Sequence, residues 1–119
     1  MVLCSGKIYF DLLEARENLK KNDIIFYRIE QLYPFPAKSL VKELKPYAKK
    51  AKFYWCQEEP KNMGAWSFVR DYIDWTLEYI KAKNNKISYI GREFASTPAT
   101  GYAKRHLAQQ KEIIDEVFR

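Results

Sequence analysis

The feature of this sequence that most constrains its fold is a fourfold alternation between strand-like runs and helical segments. The strand-like runs are rich in β-branched and aromatic residues, which fit a pleated sheet. They are VLCSG at 2–6, IIFYRIE at 24–30, AKFYWCQEE at 51–59 and KISYIGR at 86–92. Each run is followed by a segment in which apolar residues recur at helical spacing. This alternation is typical of an α/β fold, with a mostly parallel sheet and helices on both faces.

The four helical segments cover about 7–20, 37–50, 65–83 and 102–118. Two prolines shape the second segment. Pro36 suits the first position of a helix, where no backbone N–H is needed, and Pro46 is expected to end or bend the helix. A loop of small residues is expected at 93–101. No internal repeat divides the 119 residues, so we predict a single domain over 1–119.

The net charge of +6 leaves several classes of partner open. A basic balance is compatible with an acidic ligand, such as a nucleotide or an acyl-CoA, and with nucleic acid. However, the lysines are scattered near the expected helix ends, where cations complement the helix dipole. This distribution favours a solvated surface, and we expect no nucleic-acid partner.

The cysteines and the single histidine offer too few ligands for a metal site. Cys4 and Cys56 each lie in an apolar strand-like run without CxxC spacing, and His106 is the only histidine. Two buried thiols of a reduced protein are therefore expected. No apolar run reaches the length of a membrane helix, so we expect no membrane partner.

In a parallel sheet, functional loops lie beyond the carboxyl ends of the strands. Three loops qualify, at 5–7, 30–36 and 57–66. The first matches only part of a phosphate-binding loop, although Lys7 could meet an anion at the following helix N-terminus. Glu58 and Glu59 could act as general acid and base, but adjacent strand residues point to opposite faces. We therefore predict no catalytic, cofactor-binding or metal-binding residue in this chain.

Five segments together carry a resemblance that extends from about Val2 to Phe118. They are LCSGKIYFDLLEAR, YRIEQLYPFP, WCQEEPKNMGAW, YIGREFASTPATG and HLAQQKEIIDEVF. In this order they resemble the C-terminal domain of the thiamine diphosphate-dependent decarboxylating component of 2-oxoglutarate dehydrogenase. The resemblance implies the three-layer α/β/α sandwich of the C-terminal domain of transketolase-like enzymes. It also implies that this chain is a fragment of a much longer enzyme.

The resemblance implies the following activity for the parent. It decarboxylates 2-oxoglutarate in the tricarboxylic acid cycle, on thiamine diphosphate and magnesium held between two other domains at a dimer interface. It then passes the succinyl group to the lipoyl arm of the succinyltransferase component of a multienzyme complex. The residues that hold and activate this cofactor in the family lie upstream of the present segment. The fragment is thus expected to be an inactive structural and dimer-contact domain, in the cytoplasm of a bacterium or the mitochondrial matrix of a eukaryote. Its partners are the rest of the parent chain, the sister subunit and the succinyltransferase component.

The stretch WCQEEPKNMGAW at 55–66 is interpreted as a shaped structural or interface corner. Gln57 and Glu58 are expected to hold loop amides, and Pro60 and Gly64 are expected to set the backbone path. Trp66 begins the next helix and provides an aromatic anchor, either within the domain or at an interface.

The same family comparison suggests a regulatory alternative. Some relatives bind acetyl-CoA partly through basic residues just after the Pro-x-Pro turn, and Lys38 is the residue that matches here. Lys7 and Lys38 are therefore candidate anion contacts of a module that binds a nucleotide or acyl-CoA. Separately, aromatic residues beyond the needs of a core, including Tyr33, Phe35 and Trp66, predict a surface that another part of the protein covers.

Overall fold

The computed structural model describes residues 1–94 and 103–119, with side chains from residue 107 onward in the second range. In chain order, the elements are β1 (Val2–Cys4), α1 (Ile8–Leu19), β2 (Phe26–Arg28), α2 (Ala37–Leu44), a 3-10 turn (Lys45–Tyr47), β3 (Tyr54–Pro60), α3 (Trp66–Tyr79), β4 (Ser88–Arg92) and α4 (Ala103–Val117). None of the helices described in these two ranges is both long enough and apolar enough to cross a membrane.

The four strands form one parallel sheet in the order β2-β1-β3-β4. Cys4 of β1 lies beside Arg28 of β2 on one side and Cys56 of β3 on the other. From β1 the chain first builds outward to β2 and then returns to build β3 and β4 on the opposite side. The crevice between the carboxyl ends of β1 and β3 is therefore the point where the winding reverses, which is the usual place for a functional site in such sheets.

Helices cover both faces of the sheet because successive strand residues point to opposite sides. On one face, Leu3 and Trp55 pack with buried residues of α2 and α3, such as Leu40 and Ile73. On the other face, a second cluster joins β1, β3 and β4 to α1 and α4. The α/β expectation is confirmed. The more specific likeness to the C-terminal domain of transketolase-like enzymes stays a prediction.

The boundaries of α2 show how the two prolines act. Pro36 is not the first helical residue as expected, because its ψ of 61° is outside the helical range, and the helix begins at Ala37. Pro36 instead precedes the helix, and its carbonyl accepts the N–H of Leu40 at 3.0 Å. Pro46 does end the α-helix: α2 stops at Leu44 and continues only as the 3-10 turn.

Two other expectations concern the ends of the sheet. Residues 24–30 form a strand only over Phe26–Arg28, because this edge strand pairs with the three-residue strand β1 alone. The loop expected at 93–101 lies mostly outside the described residues, and so does the side chain of His106.

Candidate functional site at the corner after strand β3

The three loops at the carboxyl edge of the sheet enclose a cleft of about 500 Å³. Residues from each loop line it: Ser5 and Gly6 after β1, Leu32 and Tyr33 after β2, and Trp55, Gln57, Glu59, Gly64, Ala65 and Phe68 from β3 to α3. The cleft lies at the point where the winding of the sheet reverses. Because parallel strands end at one edge of the sheet, the order of elements in the sequence predicts that these loops meet.

Gln57 is the centre of the corner. Its side chain is 2% exposed, and both ends of its amide are bound. The oxygen Oε1 accepts the indole N–H of Trp55 and the backbone N–H of Trp66, each at 3.0 Å. The nitrogen Nε2 donates to the carbonyl oxygens of Glu59, Pro60 and Met63 at 3.1, 3.0 and 2.9 Å. One buried amide thus fastens the end of β3, the turn and the start of α3 to each other.

Gly64 gives the turn a backbone that other residues could adopt only with strain. Its φ is +65°, in the left-handed region that favours glycine. A Cβ at this position would lie 2.9 Å from Glu59 Oε2 and 3.2 Å from Gln57 Nε2. Pro60, which is buried, ends β3 and supplies one of the carbonyls that Gln57 binds. The left-handed φ therefore favours glycine at position 64, and a Cβ there would also crowd the buried amide of Gln57.

Trp66 belongs to the core of this domain. It is 7% exposed and packs in the α2–α3 cluster, with its ring 5.2 Å from the ring of Tyr89. The expectation that Trp66 belongs to the exposed surface that another part of the protein covers is wrong, because β4 and the corner already cover its ring. The residue anchors α3 to the sheet.

Tyr89 closes the corner from the side of β4. Its hydroxyl donates to the carbonyl of Arg92 at 2.6 Å and also lies 3.3 Å from the carbonyl oxygen of Glu59. Burial is the main reason that the pKa of Tyr89 is raised to about 12. The phenol therefore stays protonated throughout the ordinary pH range, and its hydroxyl keeps donating a hydrogen bond to the carbonyl of Arg92.

Glu58 and Glu59 do not share one substrate position, because they face different parts of the fold. Glu58 Oε1 accepts a hydrogen bond from Gln110 Nε2 of α4 at 2.8 Å, and the same amide lies 3.3 Å from Asp11 Oδ2 of α1. Glu58 therefore ties β3 to α1 and α4 instead of holding loop amides as expected. Glu59 lines the cleft on the opposite side, beside Gly64.

Lys7 and Lys38, the two candidate anion contacts, are not brought together. Lys7 immediately precedes α1 and pairs with Asp11 at 3.4 Å, whereas Lys38 lies in α2, which packs on the opposite face of the sheet. At the N-terminus of α1, the backbone N–H of Gly6 donates to the carboxylate of Glu30 at 3.0 Å. A carboxylate of the chain itself thus lies beside this end of α1.

The two thiols are buried in adjacent strands and do not form a disulfide. Burial raises the pKa of Cys4 to about 12 and also raises the pKa of Cys56. Because the thiolate is the reactive form, neither sulfur is a nucleophile at ordinary pH. In residues 1–94 and 103–119, as far as they are described, no three His, Cys, Asp or Glu side chains are grouped as metal ligands.

Several residues of the corner were missed from the sequence. The sequence pattern places Tyr89 and Gly91 in a strand and Gln110 in a helix, and it indicates no further role for them. A Cβ on Gly91 would lie 2.4 Å from Tyr89 Oη and 2.9 Å from the carbonyl oxygen of Gln57. A glycine inside a strand is a known sign of close backbone approach, so this signal was available. The role of Gln110 had no local signal, because its partner Glu58 is 52 residues away.

These observations define a class of protein: a small parallel α/β domain whose polar groups at the carboxyl edge bind mainly one another. Among its described side chains, no buried nitrogen or oxygen lacks a hydrogen-bond partner. The particular family follows from comparison with known proteins. The family model described as 2-oxoglutarate dehydrogenase C-terminal matches residues 1–118, and the chain belongs to this family.

Curated relatives of this chain include proteins named 2-oxoglutarate dehydrogenase E1 component from Brucella anthropi, Brucella ovis and Brucella canis. Each is 51% identical to this chain over 118 residues. The match covers 99% of this chain but only 12% of the length of each relative. The chain therefore corresponds to a small part of these relatives.

Proposed function

We propose that this chain is the C-terminal framework domain of a 2-oxoglutarate dehydrogenase E1 component. The parent enzyme decarboxylates 2-oxoglutarate in the tricarboxylic acid cycle and passes the succinyl group to the succinyltransferase component of its complex. The domain contacts the rest of its own chain and the sister subunit of a dimer. The parent works in the cytoplasm of a bacterium or in the mitochondrial matrix of a eukaryote.

The observation that carries this proposal is the 51% identity along 99% of the chain. The role of a framework domain, as opposed to a catalytic one, is supported by the hydrogen bonds of the corner. Gln57 is saturated by five groups of its own domain, and Glu58 is bound to α4. A buried amide with both ends occupied has no free group to offer a substrate.

We assign the parent's cofactor, thiamine diphosphate with magnesium, to parts of the parent upstream of this chain, as the family resemblance implies, and we assign no chemical step to this domain.

Two measurements test the proposal. The purified chain, supplied with thiamine diphosphate, magnesium and 2-oxoglutarate, is expected to show no turnover above the protein-free control in a ferricyanide-reduction assay. An antibody against this chain is expected to detect a protein several times heavier than 14.2 kDa in the source organism. Turnover by the pure chain, or a native product of 14.2 kDa, would overturn the proposal.

A further inference from the structure

One face of α3 carries four exposed aromatic side chains that the corner does not use. Phe68, Tyr72, Trp75 and Tyr79, here called the α3 aromatic surface, are 38%, 45%, 52% and 64% exposed. Their spacing of four, three and four residues places them on a single stripe of the helix. Four rings with this exposure leave on the order of 400 Å² of mainly apolar surface in water, the size of a patch that is often functional.

The rings of this surface are packed against one another. Trp75 and Tyr79 are stacked with centroids 5.3 Å apart, and Phe68 lies 5.3 Å from Tyr72. Tyr72 also stacks on Phe35, which precedes α2, at 4.9 Å. Rings that are already held in place lose little further freedom when a partner covers them, so this surface is preorganised for contact.

The α3 aromatic surface borders a groove whose opposite wall is α2. Two shallow depressions of about 460 and 300 Å³ share Ala37 and Trp75, and Lys38 lines the second of them. Lys42 lies one helical turn beyond Lys38 and is also exposed. A segment in this groove therefore meets aromatic rings and Asp71 along α3, and Lys38 along α2.

We propose that the occupant of this groove is a segment of the same polypeptide that precedes residue 1 in the parent enzyme, with an apolar face and with carboxylates opposite Lys38 and Lys42. This inference rests on the proposed function, because it requires the longer parent. The matched relatives extend far beyond this domain, which covers 12% of their length. A tethered segment competes at an effective concentration in the millimolar range, well above that of a free partner.

The charge of the domain argues against a second copy of it as the occupant. Each copy of this domain carries a net charge of +6, Lys38 lines the groove, and Lys42 is exposed one helical turn further along α2. Two such copies that meet through this face would bring like charges together. An acidic segment of the same chain neutralises the lysines and covers the rings at the same time.

The first test is oxidative footprinting of the tryptophans in the full-length parent. The domain has three tryptophans, of which Trp55 and Trp66 are buried, at 1% and 7% exposure, and Trp75 is 52% exposed in the isolated fold. Trp75 is expected to react as slowly as the two buried tryptophans. The same tryptophans in the urea-unfolded parent serve as the reference for fully exposed rings. Protection of Trp75 by no more than about twofold, the value that its 52% exposure gives, together with strong protection of Trp55 and Trp66, would overturn the proposal.

The second test identifies the occupant by zero-length carbodiimide coupling of lysine to carboxylate in the parent. Lys38 and Lys42 are expected to couple to Asp or Glu residues upstream of residue 1, and Lys42→Gln is expected to remove its own link. A parent assembled from heavy-isotope-labelled and unlabelled subunits is expected to give links only within one isotope type. Mixed-isotope links would overturn the proposal by showing that the sister subunit fills the groove.

The outcome for the proposed function is read separately. If the native protein has no longer parent, the proposed function fails and this inference fails with it. If the parent exists and Trp75 is reactive, only this inference fails.

The third test is limited proteolysis of variants of the parent. The double variant Trp75→Ser/Tyr79→Ser is expected to be cleaved faster between this domain and the rest of the parent, whereas the control Phe10→Ser, which removes an exposed ring of α1, is not. Equal proteolysis of the two variants would also overturn the inference.

Discussion

Gln57 accepts the backbone N–H of Trp66 at 3.0 Å, so a strand side chain supplies the cap for the first amide of α3. The residue before the helix, Ala65, has no side chain that can make this bond. Uncapped N–H groups at a helix start must find a partner elsewhere. The contact therefore sets the position of α3 relative to the sheet.

Substitution of Gln57 by leucine is expected to destabilise the isolated chain strongly. Leucine has a similar size but leaves the indole N–H of Trp55 and the amide of Trp66 without their acceptor. The loss is expected to be about 3 kcal/mol or more, since each unsatisfied buried group costs on the order of 1–3 kcal/mol. Urea denaturation measures it. Gln31→Leu is the control, because Gln31 is exposed and its bond to the carbonyl of Pro34 is long, at 3.4 Å. Equal losses in the two variants would refute the role of Gln57.

Alanine at Gly64 separates the effect of space from the effect of backbone conformation. Gly6 and Gly64 both have positive φ, at +81° and +65°. A Cβ at Gly6 meets nothing within 4 Å, whereas a Cβ at Gly64 meets Glu59 and Gln57. Gly6→Ala is expected to cost about 1 kcal/mol from conformation alone. Gly64→Ala is expected to cost about 1–3 kcal/mol more, because the added Cβ would overpack the corner. Similar unfolding free energies for the two variants would contradict this account.

Trp66 and Trp75 are expected to respond differently to alanine, although both lie in α3. Trp66→Ala removes a ring from the core and is expected to cost about 3–5 kcal/mol. Trp75→Ala removes a half-exposed ring and is expected to stay within about 1 kcal/mol of the wild type. Thermal and urea unfolding of the isolated chain measure both. If Trp75→Ala lowers the free energy of unfolding more than Trp66→Ala does, Trp66 is not the anchor of α3.

The tyrosine of the corner predicts a loss of stability at high pH. The pKa of Tyr89 is raised from 10 to about 12, mainly by burial, so the folded state keeps a proton that the unfolded chain releases. Between about pH 10 and 12 the folded state binds more protons, and the contribution of this group falls as the pH rises. Below pH 10 the contribution is complete. Unfolding free energies over this range are expected to fall more steeply for the wild type than for Tyr89→Phe. Parallel curves would argue against the shift.

Some parts of this structure could be predicted from the sequence because they depend on local pattern. The alternation of strand-like and helical segments predicted the parallel sheet, and the shared edge of parallel strands predicted the meeting of three loops. Whether Trp66 lies in the core or at an interface was not predictable in this way, because a tryptophan at the start of a helix suits both locations equally well. Apolar residues of α3 at 66, 69, 73 and 77 indicated its buried face. The second stripe at 68, 72, 75 and 79 was missed because aromatic residues occur on two sides of this helix.

Contacts between segments that are distant in the chain could not be predicted from local sequence patterns. Glu58 meets Gln110 only because α4 packs beside β3, and Lys7 and Lys38 are separated only because α1 and α2 cover different faces. Both facts follow from the order of the strands. That order depends on the packing of the whole sheet and is not encoded in any short stretch.

The most direct test of the central claim is turnover by the parent enzyme after the two corner carboxylates lose their acid–base capacity. Glu58→Gln/Glu59→Gln keeps the size of both side chains, and a glutamine at position 58 can still accept from Gln110. A framework domain predicts unchanged turnover per assembled enzyme, with assembly checked by sedimentation of the same sample. Intact enzyme with turnover lowered a hundredfold or more, about 2.7 kcal/mol of transition-state stabilisation, would show that this corner takes part in catalysis.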